Sequence, residues 1–300
     1  MMRSILKVLK ILLWALILVA AIYLYMLFRD GGSLVQIMSE PRSLEVVQDL
    51  RFEAEVQSIQ IDWISGGITV TPSTDNLIHV IEKAEKGLNS AKYASIDASN
   101  GKLTIRSKNE NNVWFFFYRT PLTYLELQVP QSDYDEIVLN LTSGSHKVSN
   151  LMVDAMILDL TSGELSIAES DIARLNMTMT SGNTNLSNVV GQDLRVEMTS
   201  GQLRTTGSFS NLIQIEMTSG DLSLDTHLDA PNRLTLAMTS GNAELILSQT
   251  EGFQFAVDKT SGNFTPSFNY TGDSDDPIYL EGDVRYTVDM TSGNVSVKVK

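Results

Sequence analysis

Carboxylates recur in this chain at a fixed place. Asp159, Glu197, Glu216, Asp258 and Asp289 each stand two residues before a Thr-Ser-Gly tripeptide, in a column completed by Asn140, Thr178 and Ala237. If successive tripeptides lie on neighbouring strands, Glu197 and Glu216 stack side by side and repel by about 1 kcal/mol or less in water. Such a stripe can hold a divalent cation; its plainer reading is a solvated acidic surface. Met179, Met198, Met217, Met238 and Met290 directly precede five of the tripeptides. Stacked thioethers can bind Cu(I), but an inward methionine column is first of all core packing. The acidic insertion 271–283 carries Asp273, Asp275, Asp276, Glu281 and Asp283, oxygen ligands of the kind Ca²⁺ takes. It lacks both the EF-hand spacing and the glycine-rich aspartate nonapeptide of calcium-binding β-rolls, and it reads as a flexible acidic loop. The most aromatic stretch is Val113-Trp-Phe-Phe-Phe-Tyr118. Its alternate residues Trp114, Phe116 and Tyr118 form a candidate binding patch that could stack on sugars or touch a membrane. Against this stands a half-buried strand in which Val113, Phe115 and Phe117 are the other set.

No enzyme signature accompanies these columns. There is no Gly-x-Ser-x-Gly elbow and no Walker-type phosphate loop, so no residue is assigned a catalytic, cofactor-binding or metal-binding role. The absence of cysteine removes disulfides, thiolate metal sites and a thiol nucleophile, and three histidines are few for a multi-histidine metal site. The 300 residues carry 22 basic and 36 acidic groups, a net charge of −14. That balance argues against nucleic acid as a partner, which needs a basic face.

The columns exist because the chain repeats. Thr-Ser-Gly begins at Thr142, Thr161, Thr180, Thr199, Thr218, Thr239, Thr260 and Thr291, with four successive intervals of 19 residues, then 21, 21 and 31. Apolar and polar residues alternate before and after each copy, as in Ile215-Glu-Met-Thr218 and Asp221-Leu-Ser-Leu224. Period two is the strand signature, and the glycine suits a bend. A unit this short fits one turn of a single-stranded β-solenoid, parallel β-helix-like, whose rungs stack about 4.8 Å apart. The residue before Thr (Leu141, Leu160, Met179, Met198, Met217, Met238, Lys259, Met290) is then an interior column with Lys259 its one exception. Thr faces outward, where stacked hydroxyls can bond along the axis. The residue after Gly, always polar, forms a structural ladder rather than a binding groove. Ser58–Val70, Tyr93–Arg106 and Tyr124–Pro130 extend the pattern towards the N-terminus, giving about eleven rungs. Leu44–Glu55 is a candidate N-terminal cap, and Lys298 and Lys300 are read as charged edge residues that block further pairing.

The N-terminal residues are of another kind. Ile11 to Phe28 contains no charge, and as a helix it would be roughly 27 Å long, close to the thickness of a bilayer core. Arg3, Lys7 and Lys10 precede it, which places residues 1–10 in the cytoplasm and everything after the span outside. A cleaved signal peptide ending near Ala21 is the rival, but the apolar run continues seven residues beyond it. The domain plan is therefore a cytoplasmic N-terminus 1–10, a transmembrane anchor 11–28, a linker and cap 29–52, and an extracytoplasmic solenoid 53–300.

The Ser65-Gly-Gly-Ile-Thr-Val70 stretch, the Leu125-Glu-Leu-Gln-Val-Pro130 stretch and the run of Thr-Ser-Gly rungs resemble the bacterial putative-adhesin family of unknown function, which includes the LiaG-like membrane-anchored proteins of cell-envelope stress operons. The resemblance covers about residues 55–300. It implies a right-handed solenoid at the cell surface, and it brings no catalytic residues with it. The resulting expectation is an all-β, single-pass membrane protein whose solenoid is a non-enzymatic adhesion or interaction module, with a role in envelope stress among the functions the resemblance suggests. Its partner would be a protein or an envelope polymer, and neither a cofactor nor a small-molecule substrate is expected. The alternatives are an envelope glycan-active enzyme on a β-helix scaffold and a structural spacer or accessory subunit of a membrane complex.

Overall fold

The computed structural model describes residues 43–86, 88–108, 122–227, 229–248, 252–282 and 284–300. The apolar run 11–28 and the aromatic residues Trp114, Phe116 and Tyr118 lie outside the described residues. Among those described, no helix is long and apolar enough to cross a membrane.

Strands build almost everything that is described; one 3-10 turn, Ser90–Lys92, is the exception. The N-terminal part contains β1 (Leu44–Phe52), β2 (Ser58–Trp63), β3 (Gly66–Pro72), β4 (Ile78–Glu85), β5 (Ser95–Ser99), β6 (Lys102–Arg106) and β7 (Thr123–Val129). The repeats follow as β8 (Asp133–Leu141), β9 (Ser145–Ser149), β10 (Met152–Leu160), β11 (Glu164–Met179), β12 (Asn183–Met198), β13 (Gln202–Met217), β14 (Asp221–Thr226), β15 (Arg233–Met238), β16 (Asn242–Leu247), β17 (Phe253–Lys259) and β18 (Asn263–Ser267). The chain ends with β19 (Ile278–Tyr279), β20 (Val284–Met290) and β21 (Asn294–Val299).

Each rung is one strand up to the Thr-Ser-Gly corner and one strand after it. Stacking in parallel register, the first kind builds a front sheet and the second a back sheet. The front sheet runs β5–β6–β2–β8–β10, then the second halves of β11, β12 and β13, then β15–β20–β17–β19. The back sheet runs β1–β4–β7–β3–β9, then the first halves of β11, β12 and β13, then β14–β16–β21–β18. Strands β11, β12 and β13 continue round the second corner, so the ladder is one 21-stranded sheet folded into two faces. At that corner Asn150, Glu169 and Asn188 take positive φ of 58°, 49° and 54°. At the Thr-Ser-Gly corner the glycine does so, with φ 121° at Gly201, where a Cβ would overlap the carbonyl oxygen of Gly182 on the preceding rung. Glycine is required there because neither the conformation nor the approach admits a side chain. Between the sheets, the inward residues of every rung join one continuous core that includes the whole methionine column, each buried Leu, Ile or Met contributing about 1.5–3 kcal/mol.

The order of rungs in space is not their order in sequence. At the C-terminal end, β20 lies between β15 and β17, and β21 between β16 and β18. At the N-terminal end, β2 and β3 lie inside β6 and β7. Three expectations change as a result. First, Tyr93–Arg106 and Tyr124–Pro130 are not successive rungs, because β6 and β7 sit on opposite faces at one level; among the described residues the stack is one rung shorter than the repeat count suggests. Second, Lys298 and Lys300 do not guard an edge. Their strand is internal, and their ammonium groups bind Glu244 and Asp225 of the back sheet. Third, the insertion is an ordered cap rather than a flexible loop. β19 pairs antiparallel with β17, and the amides of Phe255 and Val257 donate to the carbonyls of Pro277 (3.1 Å) and Asp275 (2.9 Å), which covers the outer edge of the front sheet. Phe253, Phe255, Phe264, Phe268, Tyr279 and Tyr286 pack together beneath it, with ring centroids 5.0–5.5 Å apart. The outer edge of the back sheet is β18, whose Pro266 cannot donate to a further strand. At the opposite end, β1 is interrupted by a bulge between Val46 and Gln48, another device that discourages pairing at an edge.

Candidate functional site

A groove of about 590 Å³ runs along the front sheet beside the Thr-Ser-Gly corner. One wall is the threonine column, in spatial order Thr180, Thr199, Thr218, Thr239, Thr291 and Thr260. The other is the carboxylate column, and the methionines form the floor. The corner explains why the threonine hydroxyls are available. Each tripeptide serine donates instead to a backbone carbonyl of the adjacent rung, for example Ser219 to Thr199 O (3.2 Å), Ser292 to Thr239 O (3.1 Å) and Ser261 to Thr291 O (3.0 Å). The axial ladder expected of threonine is thus carried by serine, because the serine side chain turns back towards the stack while threonine points away from it. Among the described residues, no hydrogen bond engages a tripeptide threonine hydroxyl.

The strand register fixes the neighbours in the acidic wall. Glu197 pairs with Glu216, Glu216 with Ala237, Ala237 with Asp289, and Asp289 with Asp258. All four carboxylates are exposed. Glu216 accepts a hydrogen bond from Gln214 Nε2 (2.9 Å). Among the described residues, no Lys or Arg forms an ion pair with any of the four. The N-terminal end of the same column differs. There Asp62 accepts from Asn140 Nδ2 (2.6 Å), Arg106 Nε (2.9 Å) and Gln60 Nε2 (3.2 Å). Partial desolvation would raise its pKa, but the three hydrogen bonds together outweigh it and hold the carboxyl below its usual value. Among the described residues, the column is thus compensated at Asp62 and carries unpaired charge at Asp159 and along the groove.

The other sequence candidates separate clearly. The methionine column is core, and Thr184 Oγ1 donates to Met179 Sδ at 3.1 Å. Lys259, its exception, lies on the outermost rung, and its ammonium emerges to bind Asp275 of the cap. The polar position after glycine is a ladder in the back sheet: Asn242 donates to Asp221 (3.0 Å), Asn294 to Asn242 (3.0 Å) and Asn263 to Asn294 (3.0 Å). Asp276 of the insertion accepts from Gln254 (3.1 Å). Among the described residues, no group of three or more His, Asp or Glu side chains is placed to hold a metal ion.

Two buried titratable groups had no sequence signal. His146 is 1% exposed in the back sheet between Ile68 and Leu165, with neither ring nitrogen hydrogen-bonded, and burial pushes its pKa down to about 4. Glu82, also 1% exposed, has its pKa raised by burial, against which the amide of Ala94, donating at 2.8 Å, acts only in part.

A model of the Toastrack DUF4097 family matches residues 56–298. No curated protein matches the chain. Among solved structures, the chain is similar to a "putative lipid binding protein" from Parabacteroides distasonis, at 10% identity over 84% of this chain and 96% of that one, with a TM-score of 0.47. A "putative adhesin" from the same organism gives 14% identity over 86% and 98%, with a TM-score of 0.39. One from Bacteroides fragilis gives 13% over 86% and 98%, with a TM-score of 0.34.

Proposed function

The chain belongs to the Toastrack DUF4097 family, and from that membership we propose that it is a non-enzymatic, adhesin-like interaction module whose contact surface is the threonine-lined groove. The module is held at the cell membrane by residues 11–28, with its N-terminus in the cytoplasm and its solenoid outside. The uncharged run and the basic residues before it support that placement. One observation carries the reading of the groove: among the described residues its carboxylates lack cationic partners and its threonine hydroxyls lack hydrogen bonds. A cationic protein segment laid along the groove would supply ammonium or guanidinium groups to Glu197, Glu216, Asp289 and Asp258, and backbone or side-chain acceptors to the hydroxyls. The wall is open to water, which suits exchangeable binding better than hydrolysis in a closed cleft.

The test is crosslinking in intact cells, followed by purification of the tagged full chain and mass spectrometry. Wild type is compared with the variant Glu197→Gln, Glu216→Gln, Asp258→Asn, Asp289→Asn. Loss of one specific, salt-sensitive partner from the folded variant is expected. An unchanged set of crosslinked proteins would overturn the groove as contact surface. Release of sugar fragments from cell-wall glycan by wild type, abolished by Glu216→Gln, would replace the reading with an enzymatic one, since Glu197 and Glu216 stand side by side as a hydrolytic pair would.

A further inference from the structure

Across the front sheet from the acidic wall, at the margin where the strands begin, the interleaved last rung creates a feature of opposite sign. Arg233 starts β15 and Arg285 lies near the start of β20. The pairing of β15 with β20 begins at Thr235 and Thr287, and the two arginines, each two residues earlier and just beyond the paired stretch, lie on the same outward face. Both are exposed. They flank a cavity of about 420 Å³ together with Asn232, Thr235 and Thr287. Among the described residues, neither guanidinium has an ion pair or a hydrogen bond. Arg195, which shares a smaller neighbouring hollow with Arg233, is already neutralised by Asp193 at 3.4 Å.

Two like charges lining one hollow repel one another. In a chain of net charge −14 a carboxylate beside them would be the ordinary remedy. Among the described residues, the nearest carboxylate along β20 in the same outward column is Asp289, four residues on, at about 13 Å by strand rise and beyond pairing distance. What the cavity offers is chiefly donors: two planar forks with the Asn232 amide beside them, and the hydroxyl of Thr235, which accepts from the Thr287 hydroxyl at 3.2 Å and keeps its own hydrogen to donate. Arginine forks match the oxygens of phosphate in paired, charge-assisted hydrogen bonds.

We propose that Arg233 and Arg285 form a binding site for a phosphate group. The surrounding acidity disfavours long polyanions at a distance, so the site suits one phosphate recognised at close range. That phosphate can be free or can belong to a lipid headgroup. The site is separate from the groove and does not depend on what the groove binds.

The experiment is calorimetric titration of the full chain in neutral detergent. The probes are inorganic phosphate and glycerophosphoglycerol, the soluble headgroup of phosphatidylglycerol, with acetate as control. Saturable binding of phosphate, stronger than that of acetate, is expected. Arg233→Gln and Arg285→Gln should each weaken it about tenfold, the scale of one lost charge-assisted hydrogen-bonded pair. Arg174→Gln, in the same outward column but separated from Arg233 by Asp193 and Leu212, should leave it unchanged. Tighter binding of glycerophosphoglycerol than of inorganic phosphate assigns the site to a headgroup; the reverse assigns it to the free ion. Absence of saturable binding, or binding that survives in the folded double variant R233Q/R285Q, overturns the proposal.

Discussion

His146 gives this fold a defined sensitivity to acid. Its ring is 1% exposed, both nitrogens lack partners, and its register neighbours Ile68 and Leu165 are apolar. A buried imidazolium would have nothing to bind, so the folded chain takes up the proton only near pH 4, whereas the unfolded chain does so near pH 6.5. Between those values the unfolded state binds more protons. Stability therefore falls as pH falls through this window, is complete above about pH 6.5, and levels off below about 4. A separation of about 2.5 pH units corresponds to about 3 kcal/mol at 1.36 kcal/mol per unit. The perturbation is His146→Leu, a residue the stack already places at the equivalent inward positions Leu165, Leu203 and Leu222. At pH 7.5 the variant should be at least as stable as wild type, because the substitution removes two unsatisfied buried nitrogens. Its advantage should grow by about 3 kcal/mol between pH 7 and 3.5. Urea unfolding of both full-length proteins, followed by far-UV circular dichroism at half-unit steps of pH, measures the difference directly. Carboxylates that titrate in both proteins cancel in it. Parallel stability curves for the two proteins would refute the reasoning.

Gly201→Ala should cost about 3 kcal/mol or more, combining the strain of a side chain at φ 121° with overlap on the Gly182 carbonyl; a loss below about 1 kcal/mol in urea unfolding would mean that the corner relaxes around a methyl group. Removing residues 284–300 takes out an internal rung, not a terminal one, because β20 and β21 each have a partner on both sides. Limited proteolysis of that truncated chain should therefore cut throughout the region from β15 onward; protection of β17 and β18 equal to that in the full chain would contradict the interleaved order.

The rungs themselves were legible because backbone stacking imposes one period on every side chain. The 19-residue spacing of Thr-Ser-Gly locates each corner, and alternation on either side of it distinguishes Met198 and Leu203, which are buried, from Glu197 and Arg204, which are exposed. Finer features depend on rotamers that a one-dimensional pattern does not carry. Thr and Ser stand side by side at the corner with similar donors, and only the direction of the side chain makes Ser219, not Thr218, the residue that bonds to the neighbouring rung. His146 had no signal because its place in the alternating pattern says that it is inward but not that its nitrogens find no partner there. Rung order was hidden for a deeper reason. Parallel strands pair through the backbone, which is the same in every rung, so β20 can hydrogen-bond to β15 or to β17 equally well.

A single charge favours the observed order over the sequential one. Had the rungs stacked in sequence order, Lys259 would lie in the methionine column between Met238 and Met290, with its ammonium buried and unpaired, at a cost of several kcal/mol. Placing β20 between β15 and β17 lets Met290 continue the column from Met238 and moves Lys259 to the last position, where its stem covers the core and its ammonium reaches Asp275. The same exchange has a second effect on the outer face. In sequence order Gln254 would separate Arg233 from Arg285; in the observed order the two arginines line one hollow and Gln254 is left at the edge to bind Asp276. The inner face gains far more from the exchange than the outer face loses, since two exposed guanidiniums repel by about 1 kcal/mol or less. One lysine in an apolar column thus favours the observed threading of the last rung, in which its ammonium meets the cap and the two arginines come to line one hollow on the outer face of the same strands.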